Sequence, residues 1–215
     1  EKNNWTGEEA YKFVKEFVSD RHTSDLKSGV KAYRGTTIDR SELYQNVVFS
    51  RHSVRDFREE KLEMEDIKFA IDCFLETPTA CNRQMCGLIY VNSKNLKELL
   101  DRIVIGLPGF NKGHTQYFIV TYDLAAFAYS GERQQGLFNA GLCTINFINA
   151  LHAKGIGSCC LQWSNKPSED KKVRKALGLS NSERIAIVIG CGYYKQDYII
   201  PCSTRKTQSE IFRVV

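Results

Sequence analysis

The sequence predicts a globular fold in which helices cover a largely buried sheet. Helical and strand patterns alternate along the chain, and four short runs rich in β-branched and aromatic residues are typical of strands. Hydrophobic side chains make up 42% of 215 residues, enough for one substantial core. This length indicates one domain, or at most two small ones.

The first forty residues differ from the rest of the chain. A helix is predicted to begin after Thr6 over GEEAYKFVKEFVSD, because four apolar positions fall on one helical face: Tyr11, Val14, Phe17 and Val18. The segment from about 20 to 40 has no sustained period. We therefore predict an N-terminal helical extension over residues 1–40 and a main domain over residues 41–215.

Four helices of the main domain have clear boundaries. SELYQNVVF begins at Ser41, and EMEDIKFAIDCFL should end before Pro78, because the residue ahead of a proline is disfavoured in the helical conformation. Ser93 is a typical N-cap for KNLKELLDR. Pro167 opens the helix containing EDKKVRKAL, and Gly178 should close it.

Four short runs between these helices predict strands. They are GLIYVN, YFIVTYD, IGSCCLQW and RIAIVIGC. Most of their positions are apolar rather than alternating with polar ones, which is typical of strands covered on both faces. We therefore expect these strands to form a largely buried sheet.

The longest helical segment, QGLFNAGLCTINFINALHAKG, is apolar on nearly every face. Such a helix must be covered all round, and a domain of this size rarely covers one so completely. A second copy of the chain packed across it would do so, which favours a homodimer. The alternative is a central core helix in a monomer.

Charge and cysteine content exclude several classes of protein. The net charge of +5 is mild and mixed along the chain, so we expect no nucleic-acid partner, although the last third has local basic clusters. No apolar run approaches the roughly 18 residues of a membrane span, and the polar start is unlike a signal peptide. Eight cysteines without metal-ligand spacing favour small buried side chains and a cytoplasmic location.

One short motif combines two guanidinium groups with a hydroxyl and an imidazole. FSRHSVRDF contains, within five positions, Arg51, His52, Ser53 and Arg55. Guanidinium groups bind phosphate oxygens bidentately, and hydroxyls satisfy the remaining lone pairs, so this motif is suited to a phosphate monoester. The alternative is a solvated turn whose arginines pair with the neighbouring acids: Asp56, Glu59 and Glu60.

Three other segments could complete a cofactor site. PTACNRQ carries two carboxamides, on Asn82 and Gln84, whose donors and acceptors could bind the polar edge of a heteroaromatic ring such as a flavin. GIGSCC allows close backbone approach beside a strand. CSTRK adds two cations that could reach the same phosphate, Arg205 and Lys206.

The order and spacing of these segments resemble the FMN-dependent nitroreductase family over roughly residues 42–213. The matching segments are RHSVRDF, TPTACNRQ, KGIGSCCLQW after the apolar helix, ERIAIVIGCGYY and PCSTRK. The resemblance implies an α+β fold, specifically a three-layer α/β/α sandwich. It also implies an obligate homodimer with two flavins at the interface.

The resemblance further implies which residues bind FMN. The phosphate and ribityl chain would be bound by Arg51, His52, Ser53 and Arg55. The flavin would contact Pro78, Thr79, Ala80, Asn82 and Gln84. Gly157, Ser158 and Cys159 would lie against the ring, with Cys159 on the side of the reactive N5. Arg205 and Lys206 would supply the terminal cations.

The chain departs from the family pattern in two places. Many members have a proline and an aromatic residue after the glutamine of the flavin-contacting turn, where this chain has Met85 and Cys86. The first forty residues have no counterpart in the minimal fold.

The implied activity is reduction of a nitroaromatic, a quinone or another small oxidised acceptor, with NADH or NADPH as electron donor. Hydride would pass through flavin N5 in two steps, so no catalytic side chain and no metal are expected. Two alternatives remain. One is a different reaction on the same flavin fold, such as reductive dehalogenation, dehydrogenation or flavin breakdown. The other is a non-catalytic module that binds anions or nucleic acid.

A dinucleotide-binding Rossmann domain is excluded. KGIGSC and VIGCGY each contain a GxG triplet. Neither has the third glycine, nor the preceding strand and following helix, that the dinucleotide fingerprint requires.

Overall fold

The computed structural model describes residues 38–215, together with Glu8 and Lys12. The chain separates into two units, Glu1–Glu42 and Leu43–Val215. Glu8 and Lys12 are helical and exposed. Most of the N-terminal helix predicted after Thr6, and of the segment predicted to follow it, lies outside the described residues. The extension and its boundary at residue 41 therefore stay predictions.

Residues 38–215 form six α-helices and four strands, with short 3-10 helices in the connecting segments. The helices are α1 (Ser41–Ser50), α2 (Met64–Leu75), α3 (Lys94–Ile103), α4 (Gln135–Ala153), α5 (Pro167–Ala176) and α6 (Gln208–Ile211). The strands are β1 (Cys86–Tyr90), β2 (Gln116–Asp123), β3 (Ile156–Gln162) and β4 (Glu183–Tyr193). The four strand predictions are confirmed to within two residues at each end.

Local chemistry sets several helix boundaries as the sequence predicts. Ser93 caps α3, because its hydroxyl accepts a hydrogen bond from the Leu96 N–H at 3.4 Å. Helix α2 stops at Leu75. Pro167 is the first residue of α5, and Gly178 follows that helix with a φ of +69°, a conformation that favours glycine.

The strands form one antiparallel sheet in the order β1-β2-β4-β3. Strand β4 lies in the interior, where Cys191 is opposite both Gln116 of β2 and Ser158 of β3. At the other end of β2, Tyr122 is opposite Cys86, the first residue of β1. The first half of β3 and the first residue of β1 are thus at opposite edges and opposite ends of the sheet.

Helices cover both faces of this sheet. On one face α2 and α4 pack against alternate residues of β2, including Phe118 and Val120. On the other face α3 and α5 pack against the intervening residues, including Tyr117 and Ile119. Because successive side chains of a strand point to opposite faces, one sheet serves two cores. The predicted α+β class and the three-layer α/β/α arrangement are confirmed.

Helix α4 is covered on one side only within a single chain. One face is buried against the sheet and α2, including Phe147 and Leu151. The opposite side leaves Leu137 50%, Phe138 63% and Ile145 43% exposed. The expectation that this helix is covered all round is therefore not met by one chain. None of the described helices is both long and apolar enough to cross a membrane.

Candidate cofactor site

The RHSVR segment follows α1 and is fixed to the edge of the sheet through its backbone. The Val54 N–H donates to the Ser158 carbonyl at 3.0 Å, and Ser53 pairs with Ser158 as a short parallel bridge. Val54 and Phe57 are almost fully buried in the core. The predicted anion-binding residues lie on either side of Val54 in the sequence and are half-buried or exposed: Arg51, His52, Ser53 and Arg55.

The two arginines of this segment are not neutralised by the nearby acids. Among the described residues, neither Arg51 nor Arg55 forms an ion pair. Two acids of the alternative interpretation are paired elsewhere: Asp56 with Lys195 at 2.6 Å, and Glu60 with Arg58 at 3.6 Å. The alternative prediction, a solvated turn in which these arginines pair with neighbouring acids, is therefore wrong. The guanidinium groups are available to an anion.

Arg55 is positioned by contacts with a neighbouring loop. Its guanidinium carbon lies 5.9 Å from the centre of the Phe110 ring, and its carbonyl accepts from the Asn111 N–H at 3.2 Å. Phe110 and Asn111 belong to the loop between α3 and β2. Cation–π contact of this kind favours a defined position of the side chain.

A chain of hydrogen bonds fixes the start of the same segment. The Ser50 hydroxyl donates to the Asn46 carbonyl at 2.5 Å, so its oxygen accepts from His152 Nε2–H at 2.7 Å. His152 Nδ1 then accepts from the Tyr194 hydroxyl, also at 2.7 Å. This assignment, made from the network, requires a neutral imidazole. Three elements thus meet at this corner: the ends of α1, α4 and β4.

The electrostatics of this corner agree with a neutral histidine. Burial lowers the pKa of His152, and the electrostatic influence of Arg51 and of the neighbouring His52 lowers it further. Burial also raises the pKa of Tyr194 to about 12. Tyr194 stacks on Tyr198 with 5.1 Å between ring centres. His152 and Tyr194 therefore stay uncharged beside Arg51.

Glycines allow the RHSVR segment to approach the sheet closely. A Cβ on Gly192 would lie 2.5 Å from Cβ of Phe57, and one on Gly157 would lie 3.0 Å from the Tyr194 ring. Ser158 and Cys159, the next two residues of β3, are buried. Their predicted contact with a flavin, like that of Gly157, stays a prediction.

The PTACNRQ turn between α2 and β1 has an unusual backbone. Three of its non-glycine residues have positive φ: Cys81 at 52°, Asn82 at 52° and Gln84 at 50°. Such conformations cost on the order of 1–3 kcal/mol each and persist only where the surrounding structure enforces them. They leave the carboxamides of Asn82 and Gln84 exposed at the end of the turn.

Two buried or half-buried groups hold this turn in place. The Gln84 N–H donates to the Thr79 hydroxyl at 3.0 Å, and the Ala80 N–H donates to Asn139 Oδ1 at 2.9 Å. Asn139 belongs to α4, is 1% exposed, and donates in turn to the Gln135 carbonyl at 2.6 Å. Pro78, the first residue of the turn, is exposed.

The two predicted halves of the site lie far apart within one chain. The turn contacts α4 at Asn139, whereas the corner beside RHSVR contacts it at His152. These positions are separated by about 20 Å along the helix axis. The strand register gives the same result, since Ser158 and Cys86 are at opposite corners of the sheet.

The structure leaves both predicted terminal cations exposed. Arg205 and Lys206 lie in the segment between β4 and α6. Their role at a phosphate stays a prediction. In the same part of the chain, no cluster of three or more His, Cys, Asp or Glu side chains could hold a metal ion.

Sequence reasoning missed several residues that shape the site. Asn139 was detectable in principle, because it interrupts an otherwise apolar helix. The hydrogen-bonding roles of His152 and Tyr194 were not, since the partners are remote in sequence. The ion pair between Arg83 and Glu132 gave no local signal either.

The fold is an α+β sandwich that carries two arginines without acidic partners, among the described residues, on the edge of its sheet. The chain belongs to the nitroreductase family, whose model matches residues 48–193. The predicted family is thereby confirmed, and with it the predicted class of enzyme, an oxidoreductase.

Individual relatives agree with this assignment. A protein of Archaeoglobus fulgidus, provisionally named an NADH dehydrogenase/NAD(P)H nitroreductase, is 23% identical over 70% of this chain and 85% of its own length. The structure of a nitroreductase family protein from Streptococcus pneumoniae superposes with a TM-score of 0.66 at 20% identity, covering 79% of this chain and 98% of that one. A provisionally named nitroreductase from Desulfovibrio desulfuricans, solved in complex with FMN, gives 0.66 at 17% identity, covering 81% and 96%.

Proposed function

We propose that the protein is an FMN-dependent oxidoreductase that uses NADH or NADPH to reduce a small oxidised acceptor, such as a nitroaromatic or a quinone. The observation that carries this proposal is the pair Arg51 and Arg55. Both are fixed on the edge of the sheet, and neither has an acidic partner among the described residues. Two unpaired arginines four positions apart on one segment favour a phosphate monoester.

The residues present fit FMN at both of its ends. Arg51, Ser53 and Arg55 would hold the phosphate, and the exposed carboxamides of Asn82 and Gln84 would bind the polar edge of the flavin. The related Desulfovibrio protein was solved with FMN, which supports the same cofactor here. When bound, FMN supplies N5 as the atom that accepts and delivers hydride.

The side chains of this chain position the reactants rather than react. Tyr194 stays protonated beside the phosphate end, so it adds no anion that would compete with the phosphate for Arg51. The strained turn presents Asn82 and Gln84 in one geometry before binding, which reduces the entropy lost on association. A donor and an acceptor that use the same face of the ring in turn require no acid or base from the protein.

Two features support a homodimer in which each flavin is bound by both chains. The phosphate end and the flavin-edge turn lie at opposite ends of α4, so two copies side by side could bring one of each together. The exposed side of α4 also borders an apolar groove of about 230 Å³, whose lining includes Leu137, Ile145 and Cys160. A second copy of the chain would cover this surface.

The acceptor itself is the least defined part of the proposal. The loops around residues 106–114 and 127–136 would shape the pocket, and their side chains do not select one substrate. The same flavin fold could perform reductive dehalogenation, dehydrogenation or flavin breakdown. The cysteines of the described part of the chain are all free thiols, which is compatible with a reducing cytoplasm.

The proposal is tested by purifying the protein and measuring its flavin. We expect a yellow protein with about one FMN per chain, and oxidation of NADH or NADPH when a quinone or nitroaromatic is supplied. Parallel assays with the two nicotinamides decide between them. A protein that does not bind FMN at micromolar concentration, or that prefers FAD, would contradict the proposal, since an adenylate does not fit where arginines close on a terminal phosphate.

A further inference from the structure

We propose that Arg83 is a positioning residue for the flavin edge, held by Glu132 so that its two neighbours, Asn82 and Gln84, present their carboxamides in one fixed geometry. The inference rests on the proposed function. It states that the PTACNRQ turn is held in place by a residue outside the turn, Glu132. Glu132 lies on the short helical turn Ser130–Glu132, 49 residues further along the chain.

The contact between the two side chains is short and partly shielded from solvent. The Arg83 guanidinium lies 2.6 Å from Glu132 Oε1, and the two side chains are 27% and 21% exposed. The same guanidinium lies 5.9 Å from the centre of the Phe127 ring. Arg83 therefore has an ionic and an aromatic contact, both with the segment that precedes α4.

Glu132 is fixed independently of Arg83. Its second oxygen, Oε2, accepts from the Ala128 N–H at 2.9 Å and from the Tyr129 N–H at 3.2 Å. The carboxylate is thus oriented by the backbone of its own loop. Arg83 binds to a preformed partner, so the position of the turn follows from the position of the loop.

Arg83 lies directly between the two residues whose carboxamides it is proposed to position. It is half-buried with an ordinary helical backbone, between Asn82 and Gln84, which are exposed and have positive φ. A cavity of about 470 Å³ opens beside the turn, bordered by Arg83, Gln84 and the Ala125–Ala126 loop. Loss of the Arg83 contact would let the backbone at Asn82 and Gln84 relax toward less strained conformations, and both carboxamides would move with it.

The test compares FMN with riboflavin, which lacks the phosphate but has the same ring edge. Arg83→Ala should raise the Kd for both flavins by the same factor, about threefold to tenfold, so their ratio is unchanged. Arg83→Lys should recover part of the loss because it keeps the charge. Arg55→Ala should instead weaken FMN binding selectively. Fluorescence titration gives each Kd, and melting curves on the same samples report stability.

Arg58→Ala is the matched control. Arg58 also has one ion pair, with Glu60 at 3.6 Å, and one ring contact, with Tyr193 at 5.1 Å, but it lies outside the turn. Arg58→Ala should therefore leave the Kd for FMN and the Kd for riboflavin unchanged. If Arg83→Ala does not fold, the comparison is made with Arg83→Lys and Glu132→Gln. Both variants should raise the Kd for FMN and the Kd for riboflavin by the same factor.

Two results would overturn the inference while leaving the proposed function intact. In the first, the parent binds FMN and every folded Arg83 and Glu132 variant binds each flavin as tightly as the parent does. In the second, the variants change the ratio of the FMN and riboflavin affinities. A parent that binds neither flavin would instead contradict the proposed function, and the inference with it.

Discussion

The two halves of the candidate site are stabilised in different ways. RHSVR is fixed by its backbone, through the Val54 N–H on the Ser158 carbonyl and through buried neighbours. The PTACNRQ turn has a strained backbone that depends on side chains from elsewhere, above all Asn139 of α4. Side chains of the first half can therefore be changed without moving the chain, whereas the geometry of the second depends on a few distant contacts.

The two halves also differ in where they lie. They contact opposite ends of α4, at His152 and at Asn139. A site divided in this way favours assembly from two chains, with α4 of each copy at the contact. Separating the chains should then abolish binding at once, whereas changing one half should weaken it only partly.

The largest effect is expected from a charge on the exposed side of α4. Ile145→Asp should produce a monomer and weaken FMN binding by at least about a hundredfold, because an unpaired carboxylate is costly in an apolar contact. Light scattering and flavin titration measure the two results. Met64→Asp, at an exposed apolar position on α2, is the control and should change neither. A monomeric Ile145→Asp that keeps its flavin would refute the two-chain site.

The next effect concerns the phosphate end alone. Arg55→Ala should weaken FMN binding by about tenfold to a hundredfold, since a charge-assisted contact contributes roughly 1.5–3 kcal/mol. Arg55→Lys should recover only part, because an ammonium lacks the bidentate geometry. The free energy of unfolding should change less than that of binding, as the backbone of this segment is held by Val54. Unchanged FMN affinity in Arg55→Ala would mean that the phosphate is bound elsewhere.

The flavin-edge turn should respond in its stability. Asn139→Ala leaves the half-buried Ala80 N–H without its acceptor, so the free energy of unfolding should fall by about 0.5–1.5 kcal/mol. Urea denaturation measures this change, with Asn181→Ala at an exposed position as the control. Equal stability of the two variants would show that the turn does not depend on α4.

The smallest effect is a pH dependence at the other end of α4. Because the pKa of His152 in the folded protein is below its ordinary value of 6.5, the folded state binds the proton less readily than the unfolded chain. Its contribution to stability is present above pH 6.5 and is lost as the pH falls toward the lowered pKa. The melting temperature of the parent should therefore fall on acidification more than that of His152→Gln. Parallel curves for the two proteins would contradict this assignment.

The sequence by itself determined the elements of the fold and the motifs of the site. Strand patterns, the Ser93 cap and the Gly178 terminator act within a few residues, so a local pattern is enough to predict them. The order of the motifs along the chain indicated the family, which the family match confirms. The residues predicted to bind FMN were chosen from these motifs, and their roles stay predictions.

Only the tertiary structure decided which side chains are free and which are used. Asp56, the acid next to Arg55 in the sequence, pairs with Lys195, which is 139 residues away, and neither Arg51 nor Arg55 has an acidic partner among the described residues. The strained turn is held by Asn139 and by the pairing of Arg83 with Glu132, and the start of RHSVR is held through His152. Each of these contacts joins segments that are remote in sequence, and a side chain's partner is set by how the layers pack. Local propensity does not encode such a pairing, because it exists only once α4 and the sheet are in place.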